Sequence, residues 1–365
     1  MRHSSLWSTC VAIMLIAILS ISGCQTSTNN AQNNGEGQET EKAMPAAIAL
    51  GTFPTGGSSY MVATGVAKVL TDHLPTKVLT RPSAGPVAFN PLLETGELGL
   101  AIESGNDLAW AFSGGTGYER VHKNLRVLAR GHGNPTIPLV VGLDSGINSI
   151  ADLQGKRVAG EYGSFITAKQ SISAALESVG MTWDDVTVIP VADATSGMRA
   201  LQEGLVDAAF CGTPKGSLNL EVDASKPLKA LSYGDLSPVD FVAASPEMLH
   251  VLQQYLPGAT IYLQQQEGFL KSDCVAINFV SWLAASALLD EDAAYEITKT
   301  VYEYSEELHP LHDFLMEWRQ ETMFGAEQPA PYHEGAIRYW KEIGLWTPEA
   351  EETQRMLLEQ VNEGE

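Results

Sequence analysis

The stretch AAIALGTFPTGGSSY, at residues 46–60, leads from an apolar segment through the turn Gly57-Ser58 into a helix start. The stretch RVAGEYGS, at residues 157–164, repeats that order and reaches Gly163-Ser164, 106 residues after the first turn. An apolar strand that feeds a helix through a short polar turn is a unit of α/β folds. The repeated unit predicts two α/β lobes that are built alike.

A second pair of segments has nearly the same offset. The residues LETG at 93–96 precede the apolar run LGLAI at 98–102, and LQEG at 201–204 precedes VDAAF 108 residues later. Two matches at almost one offset favour duplication more strongly than either match alone.

Apolar residues repeat with helical spacing after both turns. They are Val62, Val66, Val69 and Leu70 after Ser58, and Ala168, Ile172, Ala175, Leu176 and Val179 after Ser164, with Gly180 at the helix end. This spacing predicts amphipathic helices with polar N-caps. A helix start presents free N–H groups and the positive end of the helix dipole. Two starts that face each other would clamp a small anionic or zwitterionic ligand; the alternative is that each Gly-Ser pair only caps its helix.

The first residues have the pattern of an exported, lipid-anchored protein. Arg2 and His3 precede an apolar run at 11–19 that is too short to span a bilayer. Ile21-Ser22-Gly23-Cys24 resembles the bacterial lipobox, with isoleucine where leucine is usual. Residues 1–23 are therefore predicted to be a lipoprotein signal peptide with Cys24 lipidated, and ordinary signal cleavage is the alternative.

This pattern predicts a lipoprotein on the periplasmic face of a membrane in a Gram-negative bacterium, and Gln25 resembles an outer-membrane sorting signal. Residues 24–45 are polar and are predicted to be a disordered tether. We expect the first lobe, with the C-terminal helices, at 46–135 plus 236–365. The second lobe is expected at 136–235.

The formal net charge is −22, from 44 acidic and 22 basic side chains. No basic cluster is present to neutralise phosphate groups, so nucleic acid is not an expected partner. The cysteines of the folded part are Cys211 and Cys274. An oxidising compartment permits a disulfide between them; two buried thiols are the alternative.

From Ala46 to about Trp346 the chain resembles the TAXI family, the solute-binding receptors of tripartite ATP-independent periplasmic (TRAP) transporters. The resemblance rests on GTFPTGGSSY at 51–60, LLETGELGLAIESGND at 92–107, LRVLARGHGNPTIPLVVGLDSGINSIADLQGKRVAGEYGS at 125–164 and YHEGAIRYWKEIGLW at 332–346. It implies a type II periplasmic-binding-protein fold, with two α/β lobes around a ligand cleft and a hinge that includes residues 273–279. It also implies that the protein captures a solute reversibly and delivers it to TRAP permease membrane subunits.

The chain departs from the TAXI pattern at the expected site. Phe53 and Pro54 stand where the first family loop has glycines, and Phe165-Ile166 interrupts the usual Gly-Ser-Gly-Thr of the second. Glu103 stands where a glutamine is common. Members that this chain resembles bind glutamate, glutamine or dicarboxylate-type ligands. The substitution at Phe53 is expected to add an aromatic face to the mouth of the site.

Polar residues at the turns and strand ends form the predicted ligand-binding set. They are Thr55, Gly57, Ser58, Ser59, Tyr60, Arg81, Glu103, Gly163, Ser164, Thr167 and Thr213. Open α/β sheets bind ligands outside the carboxyl ends of their strands, where Arg81, Glu103 and Thr213 are expected. Arg81 would bind a carboxylate with two hydrogen bonds, or pair with a surface acid. Glu103 would bind a ligand ammonium, or help to cap the helix turn at Asn106 and Asp107.

Fixed charge of both signs at the site suits an amino acid with an acidic or amide side chain. Glutamate or glutamine is therefore expected to bind more tightly than 2-oxoglutarate, by about 1 kcal/mol. The competing function is a receptor that passes its closed state to a signal-transduction system instead of a permease.

Neither a metal nor a cofactor is predicted. His309, His312 and Asp313 lie close in sequence, but Pro310 breaks the helical spacing that a metal site would need. The sequence contains no Gly-x-Ser-x-Gly elbow, Walker loop or His-Glu-x-x-His motif, so the protein is not predicted to be an enzyme.

Overall fold

The computed structural model describes residues 44–243 and 246–362. The predicted signal peptide, Cys24 and almost all of the predicted tether lie outside these residues. Within them, no helix has the length and apolar character needed to cross a membrane.

The strands of the described chain are β1 Ala47–Thr52, β2 Lys77–Pro82, β3 Leu100–Ser104, β4 Leu125–Thr136, β5 Leu139–Gly142, β6 Arg157–Glu161, β7 Thr187–Val191, β8 Ala208–Ala209, β9 Leu228–Leu231, β10 Thr260–Gln264 and β11 Cys274–Ser286. The helices are α1 Ser58–His73, α2 Pro86–Glu94, α3 Gly105–Ser113, α4 Ile166–Glu177, α5 Ala194–Gln202, α6 Ser217–Ser225, α7 Pro246–Tyr255, α8 Glu291–Glu303, α9 Ser305–Leu308, α10 Glu334–Glu342 and α11 Pro348–Asn362. Short 3-10 turns occupy Ala151–Leu153, Trp183–Asp185, Tyr233–Asp235, Pro238–Ala243, His309–Leu311 and Asp313–Leu315.

The described chain forms two β-sheets, and the central strands follow the same order in both sheets. In the first, β1 pairs in parallel with β2 and β3, and the antiparallel β11 follows β3. In the second, β6 pairs in parallel with β7 and β8, and the antiparallel β5 follows β8. The first sheet continues through β10 and β4, which both pair with β11, and the second ends at β9. This shared order confirms the prediction of two similarly built α/β lobes.

Apolar burial explains why these segments form the central strands. Every residue of β3 is buried, and Ile48 and Leu50 of β1 are 3% and 0% exposed. Strands covered by helices on both faces read as near-continuous apolar runs. The helix α1 covers this sheet with Val62, Val66 and the other apolar positions of the predicted stripe.

The helix starts differ from the prediction in one respect. The N-cap residues are Gly57 for α1 and Phe165 for α4, and neither supplies a side-chain cap. The predicted polar N-caps are therefore wrong. Glu161 and Tyr162 adopt left-handed φ values of 65° and 43°, which are not helical. The helix α4 therefore begins after Gly163-Ser164, at Ile166.

The chain passes between the sheets after β4 and again after β9. Ile137 forms an isolated bridge to Gly212, and the Val275 N–H donates to Ser232 Oγ at 3.2 Å. The segment at 273–279 therefore contacts the second crossing. The helix α7 packs against α4, so this part of the range expected in the first lobe lies on the second.

The disulfide between Cys211 and Cys274 is absent; both residues are buried free thiols. The backbone carbonyl oxygen of Thr213 lies 3.9 Å from Cys211 Sγ, and Asn219 Nδ2 donates to the same sulfur at 3.4 Å. Burial raises the pKa of the Cys211 thiol well above its usual range. Each thiol is thus kept neutral, which makes it a poor nucleophile for disulfide exchange.

We expect both thiols to react when the chain is unfolded with an alkylating reagent in the absence of reductant. Peptide mapping should find the label on Cys211 and Cys274, and prior reduction should not increase labelling at either position. A disulfide-linked peptide that contains both residues would contradict the structure.

Candidate ligand site between the two lobes

A cavity of about 100 Å³ lies in the cleft between the lobes. The first lobe contributes Phe53, Pro54, Gly56, Gly57, Ser58, Ser59, Asn134, Thr136 and Phe279, and the second contributes Phe165, Ala194, Thr195, Met198, Phe210, Cys211, Gly212, Thr213, Gly216, Leu218 and Asn219. The cavity is therefore built by both lobes and changes shape when they move apart.

The starts of α1 and α6, which belong to opposite lobes, border this cavity without side-chain caps. Gly57 is the N-cap of α1 and Gly216 is the N-cap of α6. Ser217 Oγ donates to the Gly56 carbonyl oxygen at 2.9 Å, which joins the two starts. The first turns of α1 and α6 leave backbone N–H groups that the helices cannot satisfy internally. Phe165, the N-cap of α4, also lines the cavity and supplies no side-chain cap, whereas the start of α5 is already capped by Asp193.

Aromatic rings form one wall of the cavity across the lobe boundary. The Phe53 ring contacts the Phe165 ring edge to face, with 4.8 Å between centroids, and Phe165 contacts Phe210 in the same way at 5.5 Å. Phe279 and Met198 also line the space. The predicted aromatic face at Phe53 is thus extended by rings from the second lobe.

The cavity has no ionisable side chain in its lining apart from Cys211, counting the described residues. The raised pKa of that buried thiol keeps it neutral. The polar lining consists of hydroxyl and amide groups together with backbone N–H. These groups donate hydrogen bonds, while the helix starts supply partial positive charge.

Part of the sequence-predicted set lines the cavity: Gly57, Ser58, Ser59 and Thr213. The remaining members, Thr55, Tyr60, Arg81, Glu103, Gly163, Ser164 and Thr167, do not contribute to the lining. Arg81 is exposed on β2, beside Gly51 of β1. Thr55 and Gly163 are exposed in the turns before their helices.

Glu103 is buried beneath the first lobe's surface and takes part in an internal network. Asn90 Nδ2 donates to Glu103 Oε2 at 3.0 Å and approaches the Tyr118 hydroxyl at 3.1 Å. Burial and the neighbouring Asp107 raise the pKa of Glu103 well above its usual range. This enclosed carboxyl group lies outside the cavity lining and is not available to a solute there.

Two predicted residues of the second lobe contact the first lobe directly. Thr167 Oγ1 donates to Asp107 Oδ2 at 2.7 Å, and both side chains are buried. The Ser164 carbonyl oxygen lies against Gly85, where an added Cβ atom would overlap it. Gly85 also has a φ of 155°. These contacts describe lobes that are closed on each other.

Several lining residues were missed in the sequence. Thr195 follows the carboxyl end of β7, and the rule for strand ends in open sheets would have identified it. Asn134, Thr136 and Phe279 lie on β4 and β11 near the crossing between the lobes. No spacing in the sequence marks these three, because tertiary pairing of the two strands brings them together.

The histidines of the described chain have structural contacts. His309 Nε2 lies 3.0 Å from the Trp318 carbonyl oxygen, and His312 Nδ1 accepts the Phe314 N–H at 3.3 Å. Over the described residues, no group of three or more His, Cys, Asp or Glu side chains is placed to hold a metal ion.

The pKa of Asp107 gives a pH-dependent prediction. Burial raises it from 3.8 to about 6, against the hydrogen bonds from Thr167 and Ser104. Between about pH 7 and pH 5 the folded protein therefore takes up a proton at Asp107 that the unfolded chain does not, so this group adds stability as pH falls. We expect the free energy of unfolding of wild type to gain about 1 kcal/mol relative to Asp107→Asn over that interval.

Denaturant unfolding of both proteins at several pH values measures this difference. The comparison with Asp107→Asn cancels the contributions of carboxyl groups that Asp107 does not perturb, and Glu103→Gln in both backgrounds removes the coupled carboxyl group of Glu103. Parallel pH profiles for the two proteins would contradict a buried Asp107 at the lobe interface.

Comparison with known proteins places the chain in a family. The model of the NMT1-like family matches residues 50–344. PhnD1 from Prochlorococcus marinus (MIT 9301), solved with methylphosphonate, is similar with a TM-score of 0.52 and 12% identity, over 83% of this chain and 100% of that one. The alkanesulfonate-binding protein SsuA from Xanthomonas axonopodis pv. citri, bound to MOPS, matches with a TM-score of 0.48 and 17% identity, over 87% and 85%. The topology and the likeness to PhnD1 establish the α/β fold of periplasmic solute-binding proteins, and the family match shows that the chain belongs to the NMT1-like family.

Proposed function

We propose that this protein is an extracytoplasmic receptor that captures a small carboxylate between its lobes. The observation that carries the proposal is the pair of uncapped helix starts, α1 and α6, at one cavity. Their backbone N–H groups, with the hydroxyl groups of Ser58 and Ser59, form a set of donors suited to carboxylate oxygens.

Capture would proceed by closure of the lobes about the two chain crossings. Closure brings together Ser217 and Gly56, the rings of Phe53 and Phe165, and the pair Thr167 and Asp107. A ligand that contacts both lobes binds the closed form better than the open form, and therefore shifts the population toward it.

Delivery of the solute to TRAP permease membrane subunits is supported by the resemblance of four segments to the TAXI receptors. The same resemblance makes glutamate, glutamine and 2-oxoglutarate the first ligands to test. The enclosed position of Glu103 gives no support to the expected preference for an amino acid over an oxo-acid. A signal-transducing receptor remains the second candidate, and a permease gene rather than a sensor-kinase gene beside this one would favour transport.

A bound carboxylate should raise the melting temperature, because ligand that binds only the folded state stabilises it by mass action. A thermal-shift screen of amino acids and carboxylates tests this directly. If no carboxylate or amino acid at millimolar concentration changes the melting temperature, the proposed capture is wrong.

Gly85→Ala should weaken the affinity for any ligand found in that screen by at least tenfold. The new methyl group would overlap the Ser164 carbonyl oxygen only when the lobes are closed, so the closed form is disfavoured. Isothermal titration measures the affinity of each variant.

Gly155→Ala is the matched control, since Gly155 also has a left-handed φ, of 69°, and an added Cβ there meets no atom within 4 Å. Its affinity should equal that of wild type. Equal affinity of all three proteins would mean that capture does not require the observed closure.

The proposed lipid anchor at Cys24 can be tested in cells. Cys24→Ser should move the protein from the membrane fraction to the soluble fraction, because one lipid-modified cysteine is the proposed anchor. Fractionation and immunoblotting measure the distribution, with Cys274→Ser as the control. A Cys24→Ser protein that resists a high-salt wash of the membranes would exclude this anchor.

A further inference from the structure

We propose that the solute is a monoanion with an apolar body, such as a branched short-chain carboxylate, rather than an amino acid or a dicarboxylate. This inference rests on the proposed capture of a carboxylate and narrows the ligand class for the same cavity. It follows from three properties of the cavity between the lobes: the charge of its lining residues, the apolar side chains among them, and its volume.

Charge limits the ligand to one anionic group. Each of the uncapped helix starts at the cavity, those of α1, α4 and α6, carries only about +0.5 elementary charge, so together they favour one negative charge and fall short of balancing two. Within the described residues, the lining contains no arginine, lysine or histidine for a second carboxylate and no aspartate or glutamate for an ammonium group. A second charge in this space would be desolvated without a partner, which is strongly unfavourable.

The two charged residues that the sequence predicts as ligand contacts, Glu103 and Arg81, do not add charge to the cavity. Glu103 is 1% exposed and hydrogen-bonded to Asn90, and it lies outside the lining. Arg81 is exposed on the edge strand β2 and also lies outside the lining. Neither side chain is placed to bind the far end of a solute whose carboxylate is held by the helix starts.

The apolar lining of the cavity favours a ligand whose uncharged part is apolar. The side chains of Phe53, Phe165, Met198, Phe210, Leu218 and Phe279 line the cavity. The phenylalanine rings at 53, 165 and 210 hold one another edge to face, so they form a fixed surface rather than mobile side chains. Burial of an aliphatic group against such rings removes apolar surface from water and therefore favours binding.

The size of the cavity restricts the body to a short chain. One water requires roughly 10–15 Å³ of space measured in this way. A cavity of about 100 Å³ therefore holds roughly seven to ten non-hydrogen atoms. A carboxylate with a branched aliphatic chain of isocaproate size fits that limit.

Titration of the full chain with four matched probes tests the ligand class. Isocaproate has one carboxylate and an apolar body. Leucine adds an ammonium group, glutarate has a carboxymethyl group in place of the terminal isopropyl group, and isocaproamide removes the charge. We expect isocaproate to bind at least tenfold more tightly than each of the other three.

A substitution in the cavity should change this order. Leu218→Lys places a cation at a half-buried lining position of α6, and should improve the affinity for glutarate relative to isocaproate by at least tenfold. Leu220→Lys is the matched control, because Leu220 is exposed on the same helix and outside the lining. The control should keep the wild-type order of affinities.

The outcomes separate this inference from the proposed function. If leucine or glutarate binds wild type as tightly as isocaproate, the monoanion assignment is overturned while carboxylate capture stands. Binding of isocaproamide equal to that of isocaproate would overturn the role of the helix starts. If none of the probes and no other carboxylate binds, both the inference and the proposed function fail.

Discussion

The hydroxyl group of Thr167 in the second lobe donates a hydrogen bond to the buried carboxyl group of Asp107 in the first lobe. A buried polar group that loses its partner costs about 1–3 kcal/mol unless water replaces it. The closed arrangement therefore depends on contacts that water can substitute when the lobes separate. The hydrogen bond from the Ser217 hydroxyl to the Gly56 carbonyl oxygen is another contact that water can replace. The contact between the rings of Phe53 and Phe165 instead buries apolar surface. Contacts of this kind would let the lobes separate at modest cost, which the proposed reversible capture requires.

The charged side chains that the structure describes lie outside the cavity, whose lining is neutral. The chain carries a net charge of −22, yet two buried acidic side chains of the first lobe, Glu103 and Asp107, have pKa values raised by burial. The cavity itself is lined by neutral groups. Attraction of an anion then depends on backbone N–H groups at helix starts, whose charge is fixed by the fold and does not titrate.

The sequence predicted the repeated architecture well because it depends on local patterns. The apolar runs, the turns and the helical spacing after Ser58 and Ser164 are all short-range features. The sequence predicts the site less completely, because the Gly216-Ser217 pair at the start of α6 has no counterpart at the repeat offset of the other two turns. Asn134 and Phe279 come together through the pairing of β4 with β11, a long-range contact that no local pattern in the sequence reveals. The disulfide was left open by the sequence, because spacing alone does not reveal where two thiols point.

The central claim is that an anion lies between the starts of α1 and α6. A crystal structure of the protein with isocaproate tests it most directly. We expect the carboxylate oxygens at about 3 Å from backbone nitrogen atoms in the first turns of both helices, with the aliphatic chain against Phe165 and Phe210. A carboxylate bound at Arg81, or a ligand outside the cleft, would contradict the account.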